Sequence, residues 1–340
     1  MSQVYRVGII GYGFSGKHIH ANLINNTQGL SLAAVCDRHA TAGQRETYRV
    51  VNDAESIIQA PDIDLVVIAT PNQLHFPLAK QALEAGKSVV IDKPFTVSVA
   101  ESLALAELAK QKNKLLCAFQ NRRFDSDFLT VSQLIKEAAV GEIRYFESNY
   151  TFFRPEVDAG WRENHAPGSG VWFDLGAHLV DQMVNLFGQP LSGNVTLGQH
   201  RVGAKTTDFF HATYNYASLH VSLRGSLFGA PQQPRFLIDG TKGSYIKTGQ
   251  DPQEDALIAG LVPTSPGWGI DPQPGKIITG SEQQQSEAIY PSVVGRYGAF
   301  YAAIYLAMLG EAPSPVALNE TLTTVQLIEK TSQATKIDFL

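Results

Sequence analysis

Basic charge, cysteine and long apolar runs are all scarce in this chain, and each scarcity excludes something. Lysine and arginine total 27 against 32 acids, a net charge of -5, so no cationic surface invites nucleic acid or an anionic membrane. Two cysteines, Cys36 and Cys117, lie far apart in separate apolar runs; they read as reduced core thiols rather than a disulfide or half a metal site. No Cys-x-x-Cys or His-Glu-x-x-His occurs, and His18 and His20 would point apart on a helix, so no metal site is expected. No Gly-x-Ser-x-Gly marks a serine nucleophile. The apolar run Leu65–Ala69 is far too short to span a bilayer. A basic leader with an apolar core is missing too, so a cytoplasmic location is expected.

What is present begins with Val4–Ile10, a short apolar strand, running straight into Gly11-Tyr-Gly13-Phe14-Ser15-Gly16. In this Gly-x-Gly-x-x-Gly pattern Gly11 permits a tight turn, Gly13 leaves room for a phosphate, and Gly16 lets the next helix pack closely. The helix expected from Lys17 to Asn26 would point its N-terminal N–H groups and positive dipole end at that anion. A second strand, Leu30–Asp37, ends in an acid placed to accept hydrogen bonds from an adenosine ribose. Arg38 follows it. Asp37 would repel a 2′-phosphate and Arg38 would bind one, so the residues leave NAD or NADP open.

Strand and helix then alternate as a parallel sheet requires. A helix is expected near Ala40–Tyr48, strands at Arg49–Val51, Ile63–Ala69, Ser88–Ile91 and Leu115–Phe119, and helices at Gln73–Ala85 and after the capping box Ser98-x-x-Glu101. Past Asn121 the texture changes to long strands joined by short polar turns, at Ile143–Phe153, Asn194–Val202, Phe209–Tyr216, Leu219–Leu227 and Arg235–Asp239. Such a pattern favours an antiparallel sheet. One helix, Trp172–Phe187, interrupts it. Gly249–Gly280, rich in proline and glycine, is expected as a loop, and helices near Val294–Leu309 and Leu318–Ala334 finish the chain. The chain length makes two domains the default, here residues 1–121 and 122–340, with the last helices free to pack back on the first.

Three clusters carry candidate chemistry. Thr70-Pro71-Asn72 and His75 follow a central strand at the edge where open α/β sheets bind ligands, although the same residues also make an ordinary helix start. Asp92-Lys93-Pro94 follows another buried strand; its ammonium can stabilise charge on a substrate oxygen, or be a surface lysine on a turn. Asp174 and His178, four apart on a glycine-led helix, share a face and can pair a carboxylate with a general base, or be plain helix surface. Trp161-Arg162 offers an indole wall and a guanidinium, or simple packing.

In this order and spacing, Gly-x-Gly-x-x-Gly, Thr70-Pro71-Asn72, Asp92-Lys93-Pro94 and Asp174-x-x-x-His178 resemble the Gfo/Idh/MocA oxidoreductase family across essentially the whole chain. The resemblance implies an α/β protein: an N-terminal Rossmann doubly wound parallel sheet, then a C-terminal α+β domain with a large, mainly antiparallel open sheet. It implies NAD or NADP as cofactor and a sugar, sugar acid or cyclitol as substrate. It also implies a homodimer or homotetramer built through the C-terminal sheet. Lys93, Asp174 and His178 map onto the family's catalytic set, with Asp92 where glutamate is commoner. Gly11, Gly13, Phe14, Ser15, Gly16, Asp37, Arg38, Thr70, Asn72, His75, Lys93, Trp161 and Arg162 are the expected cofactor contacts; Asn121, Arg154, Asp174 and His178 are the expected substrate contacts. The segment Asn121–Thr130, with Phe153-Arg154-Pro155 and Trp161-Arg162-Glu163, resembles a narrower branch that includes NADP-dependent scyllo-inositol dehydrogenases. An arginine often precedes the Trp-Arg pair there; this chain has Gly160.

Overall fold

The computed structural model describes residues 3–45, 47–158, 163–230, 233–281 and 283–332. Two compact units emerge, and the division is not a single cut. The chain up to Phe124, with Gln253–Trp268 and Arg296–Val325, forms the first; Asp125–Pro252, Gly269–Gly295 and the chain from Gln326 form the second.

Among the described residues the first unit holds a seven-stranded sheet. Its strands are β1 (Tyr5–Ile10), β2 (Leu30–Cys36), β3 (Gly43–Gln44), β4 (Arg49–Val51), β5 (Leu65–Ile68), β6 (Ser88–Ile91) and β7 (Leu116–Ala118). Their order is β3-β4-β2-β1-β5-β6-β7, parallel throughout except for β3. β1 and β5, neighbours at the centre, lead outward to opposite sides. That makes the crevice beyond their carboxyl ends the switch point of a doubly wound fold. Both faces are covered, which is why β1, β5 and β6 are near-continuous Val and Ile runs with buried residues at almost every position. The helices are α1 (Ala21–Asn25), entered through a wide π-helical turn at Ser15–His20, then α2 (Glu55–Ile58), α3 (His75–Glu84) and α4 (Val99–Lys112). Ser98 caps α4 by accepting from the Glu101 amide at 3.3 Å; the Glu101 carboxylate returns the bond to Val97, one residue earlier than a capping box places it.

The second unit, among the described residues, is built on an eight-stranded sheet with one helical face. α5 (Ser126–Lys136) and α6 (Ala177–Phe187) lay Phe128, Leu134, Leu179 and Met183 into one core with sheet residues Phe146, Phe210, Leu223 and Phe236. The strands are β8 (Ile143–Thr151), β9 (Ser192–Gly198), β10 (Phe209–Asn215), β11 (His220–Ser226), β12 (Pro234–Gly240), β13 (Gly243–Thr248), β14 (Gly275–Ser281) and β15 (Gln284–Tyr290). Their order is β15-β14-β13-β12-β8-β11-β10-β9, antiparallel except for the β8–β11 pair. Of the remaining helices, α7 (Gln253–Ile258) and α8 (Gly298–Leu309) belong to the first unit, and α9 (Leu318–Ser332) begins in the first and ends in the second.

Two expected elements are corrected. Among the described residues no helix forms near Ala40–Tyr48: the Asn52 amide donates to the carbonyls of Asp37 and Ala40, and Gly43, at φ +147°, turns the chain into β3 beside β4. Nor is Gly249–Gly280 a loop throughout, since it contains α7 and β14. Its prolines and glycines set the turns, while buried Gln253 donates to the Phe124 carbonyl and accepts from the Tyr297 amide, anchoring α7. α8 belongs to the first unit because Phe300, Tyr301 and Ile304 enter the core that also holds Phe119. Cys36 and Cys117 are both buried. Among the described residues no helix is long and apolar enough to cross a membrane.

Inside the second core Arg235 is fully buried, 3.1 Å from the Asp127 carboxylate, bonded to Gln182 and Ser148, and stacked 4.0 Å from the Tyr150 ring. Breaking a buried pair from one side strands the other charge. Arg235→Met is therefore expected to cost about 3–5 kcal/mol, read as a lower urea midpoint. Arg144→Ala, which removes an exposed pair with Glu142, should leave the midpoint nearly unchanged.

Candidate active site

The parallel sheet brings the ends of β1, β2, β5, β6 and β7 to one edge, and there the glycine loop sits. Gly11 has φ +98°, and a Cβ on it would lie 2.4 Å from the Ala69 carbonyl oxygen. At Gly16 a Cβ would lie 2.1 Å from the Gly11 oxygen. These two glycines therefore permit close backbone crossings. At Gly13 a Cβ would meet nothing within 4 Å, so this glycine leaves open surface beside the loop. Phe14 is exposed with its ring against His18, whereas the Ser15 hydroxyl turns inward and donates to Asp92 at 2.6 Å.

Beyond β2, Asp37 folds its carboxylate back onto its own turn, accepting from the His39 amide at 2.9 Å, and Arg38 is exposed beside it. After β5, the Thr70 hydroxyl oxygen is buried with no hydrogen-bond partner, and Asn72 is buried in a short 3₁₀ turn. His75 is placed differently from a ligand contact. It is fully buried, with Nδ1 2.8 Å from the Pro94 carbonyl and Nε2 2.9 Å from that of Thr70. Burial pushes its pKa down, against smaller upward pulls from Asp92 and those carbonyls. The neutral ring, able to donate to one carbonyl at a time, clamps the loops after β5 and β6 together.

After β6 the Asp92 carboxylate is a hub. It accepts from the Lys93 amide at 2.7 Å and from Ser15, and His20 Nε2 lies 3.5 Å away. Burial raises its pKa, but His20, the Lys93 charge and Ser15 together outweigh that and hold it well below the usual carboxylate range. The Lys93–Pro94 peptide bond is cis and Lys93 is half-buried. Asn121, buried, opens the 3₁₀ turn after β7.

The second unit carries the acid–imidazole pair. Gly170, at φ +86°, leads into a π-helical turn at Trp172–Gly176, and α6 continues it, so Asp174 and His178 are helical but not on a plain α-helix. A Cβ at Gly176 would lie 2.5 Å from the Trp172 indole, which donates to the Ile328 carbonyl. Glycine there lets the indole lie across the turn and hold it. His178 is buried, its ring edge-on to Tyr150 at 6.5 Å. Asp174 and exposed Arg154 line one cavity of about 190 Å³ with Asp158, Glu163, Arg201 and Thr207. Buried Arg201 pairs with Glu163 at 2.6 Å and Asp208 at 3.4 Å. Trp161 and Arg162 lie outside the described residues. Sequence reasoning missed Arg201; a lone arginine in a polar connection carries no signal of its own.

A glycine loop at the switch point of a doubly wound sheet, with an orphaned hydroxyl beside it, fits a dinucleotide, and the chain is of the dinucleotide-dependent oxidoreductase class. It belongs to the Gfo/Idh/MocA family: the profile of that oxidoreductase family's NAD-binding Rossmann fold matches residues 5–119, and its C-terminal alpha/beta domain matches 132–337. It is similar to the uncharacterized oxidoreductase YdgJ of Escherichia coli, 44% identical over 97% of this chain and 96% of that one. The scyllo-inositol 2-dehydrogenase (NADP(+)) IolW of Bacillus subtilis is 35% identical over 97% and 94% of the two chains. Among solved structures, an oxidoreductase of Yersinia pestis, YPO2259, superposes with TM-score 0.91 at 42% identity, covering 98% of this chain and 95% of that one.

Three outcomes follow from this geometry. Gly11→Ala should lower the melting temperature, from backbone strain of about 1–3 kcal/mol plus a clash. Gly13→Ala should leave that temperature unchanged and weaken NADH and NADPH binding at least ~10-fold in fluorescence titration. Asp92, depressed in the native state, contributes stability above an unfolded pKa of about 3.9, and this is lost as pH falls through its native value. The melting-temperature gap between the native protein and Asp92→Asn is therefore expected to be full above about pH 4 and to shrink on further acidification.

Proposed function

We propose that the protein is an NAD(P)-dependent dehydrogenase or reductase acting at a hydroxyl or keto carbon of a cyclitol or sugar-like polyol. The observation that carries the reading is the cavity beside Asp174, whose lining of carboxylates, guanidinium groups and threonines offers both acceptors and donors to a ring of hydroxyls. The 35% identity to a scyllo-inositol dehydrogenase supports it. The loop from Gly11 to Gly16 would hold the pyrophosphate, and Thr70 and Asn72 the groups bound at the end of β5. When bound, the dinucleotide supplies the acceptor or donor of two electrons.

In this reading His178 takes the hydroxyl proton in oxidation and returns it in reduction, a task an imidazole suits near neutral pH. Lys93 donates a hydrogen bond to the same oxygen and stabilises its developing negative charge. Asp174 orients His178, and Arg154 and Asn121 bind the remaining hydroxyls. NADP is the favoured dinucleotide: the Asp37 carboxylate is engaged by the His39 amide, Arg38 is exposed to meet a 2′-phosphate, and the inositol dehydrogenase relative is named for NADP.

NADH and NADPH are to be titrated separately, and the tighter one screened with inositols, inososes, aldoses and sugar acids by absorbance of the reduced nicotinamide. Turnover of an inositol or inosose with NADP(H) is expected. Tight binding of the dinucleotide without turnover of any probe would count against an enzyme and for a dinucleotide sensor. Lys93→Met and His178→Ala should each lower kcat by about 10²–10⁴-fold while dinucleotide affinity holds within a few-fold. Native turnover in both folded variants would overturn the assigned roles.

A further inference from the structure

Behind the Asp92 hub lies a buried polar chain that the reaction scheme leaves unused. Asp92 Oδ2 faces His20 Nε2 at 3.5 Å, and His20 Nδ1 is 2.7 Å from the hydroxyl of Tyr301, 281 residues away in α8. His20 and Tyr301 are both fully buried. The Nε2 contact is electrostatic and makes no hydrogen bond; with the ring proton on Nε2, toward the carboxylate, Nδ1 accepts from Tyr301. Burial, reinforced by the Asp92 charge, pushes the Tyr301 phenol well above its ordinary pKa, so it keeps the proton it donates. Packing leaves His20 little freedom: Phe119 lies against its ring at 4.2 Å, and Phe119 and Phe300 meet edge-to-face at 4.8 Å.

At its other end the chain divides. One oxygen of Asp92 takes the Ser15 hydroxyl from the glycine loop, and the other takes the Lys93 amide. Aspartate has one methylene, so little side-chain freedom separates its carboxylate from the backbone that carries Lys93. We propose that Tyr301–His20–Asp92 is a positioning relay that locks the Lys93 backbone to the glycine loop, making Tyr301 and His20 positioning residues for catalysis. The inference rests on the role given to Lys93 in the proposed function.

The test uses the full-length protein with Tyr301→Phe, which removes only the hydroxyl, and Asp92→Asn, with Lys93→Met as reference. Two readouts are taken: kcat and KM on the inositol or inosose that turns over best, and hydrogen exchange by mass spectrometry of peptides spanning Ser88–Thr96. Tyr301→Phe is expected to lower kcat about five- to tenfold, the scale of one lost hydrogen bond, with both KM values unchanged. Exchange should quicken in Ser88–Thr96 while β2 and β5 keep native rates, which separates local release from general destabilisation. The double variant should be no slower than Asp92→Asn alone, because the two substitutions break one chain. Native kcat or native exchange in Tyr301→Phe, or losses that multiply in the double variant, would overturn the relay. Native turnover in Lys93→Met would instead sink the role of Lys93. If no polyol turns over, exchange alone decides, and native rates in Tyr301→Phe end the proposal.

Discussion

The site depends first on how closely two stretches of backbone pass. The turn after β1 lies against the Ala69 carbonyl, and the entry to the first helix lies against the Gly11 carbonyl, at separations no Cβ can share. Three consequences follow from that crossing. The open surface at Gly13 faces the edge of the sheet, Ser15 is delivered to Asp92, and the orphaned Thr70 hydroxyl falls beside the loop's partner strand. A single methyl group at position 11 would push apart the β1 and β5 termini that define the switch point, and one at position 16 would push the helix entry off the Gly11 turn.

Charge is handled differently in the two units. In the first, one carboxylate, Asp92, is satisfied from several sides and stays ionised against burial because its partners outweigh desolvation. In the second, the large buried cation Arg235 is matched to Asp127, hydrogen-bonded by Gln182 and Ser148, and capped by the faces of Tyr150 and Phe236. Both arrangements rigidify polar groups at the base of a candidate catalytic residue: Lys93 follows Asp92 in the chain, and Tyr150 meets His178 edge-on. In both, removing one partner would strand a charge out of reach of water.

The strand–helix rhythm of the first third was legible because a two-sided parallel sheet demands apolar strands such as Leu65–Ile68 and Ser88–Ile91, and each is punctuated by glycine, proline or a cap. The expected helix near Ala40–Tyr48 misled for a physical reason: side-chain bonds from Asn52 hold that segment by tertiary contact, which local propensity does not encode. The Pro/Gly-rich stretch misled in the opposite sense. Its composition correctly marked turns, but α7 is anchored by Gln253 to Phe124 and Tyr297, neither of them near in sequence. The candidate residues Gly11, Gly13, Gly16, Asp92, Lys93, Asp174 and His178 were found because each sits in a short motif with a local backbone requirement. Arg201 and Tyr301 were not, because what matters about them is a partner far along the chain.

By itself, then, the sequence determined the fold class and the glycine loop, and it named the candidates for proton transfer and for holding a negative oxygen. Those properties follow from spacing and from the chemistry of single side chains. Tertiary structure alone decided that His75 clamps two loops and that α8 reaches Asp92 through His20. Each depends on burial and on distances of about 3 Å between residues that the linear order keeps apart, and neither quantity exists until the chain has folded.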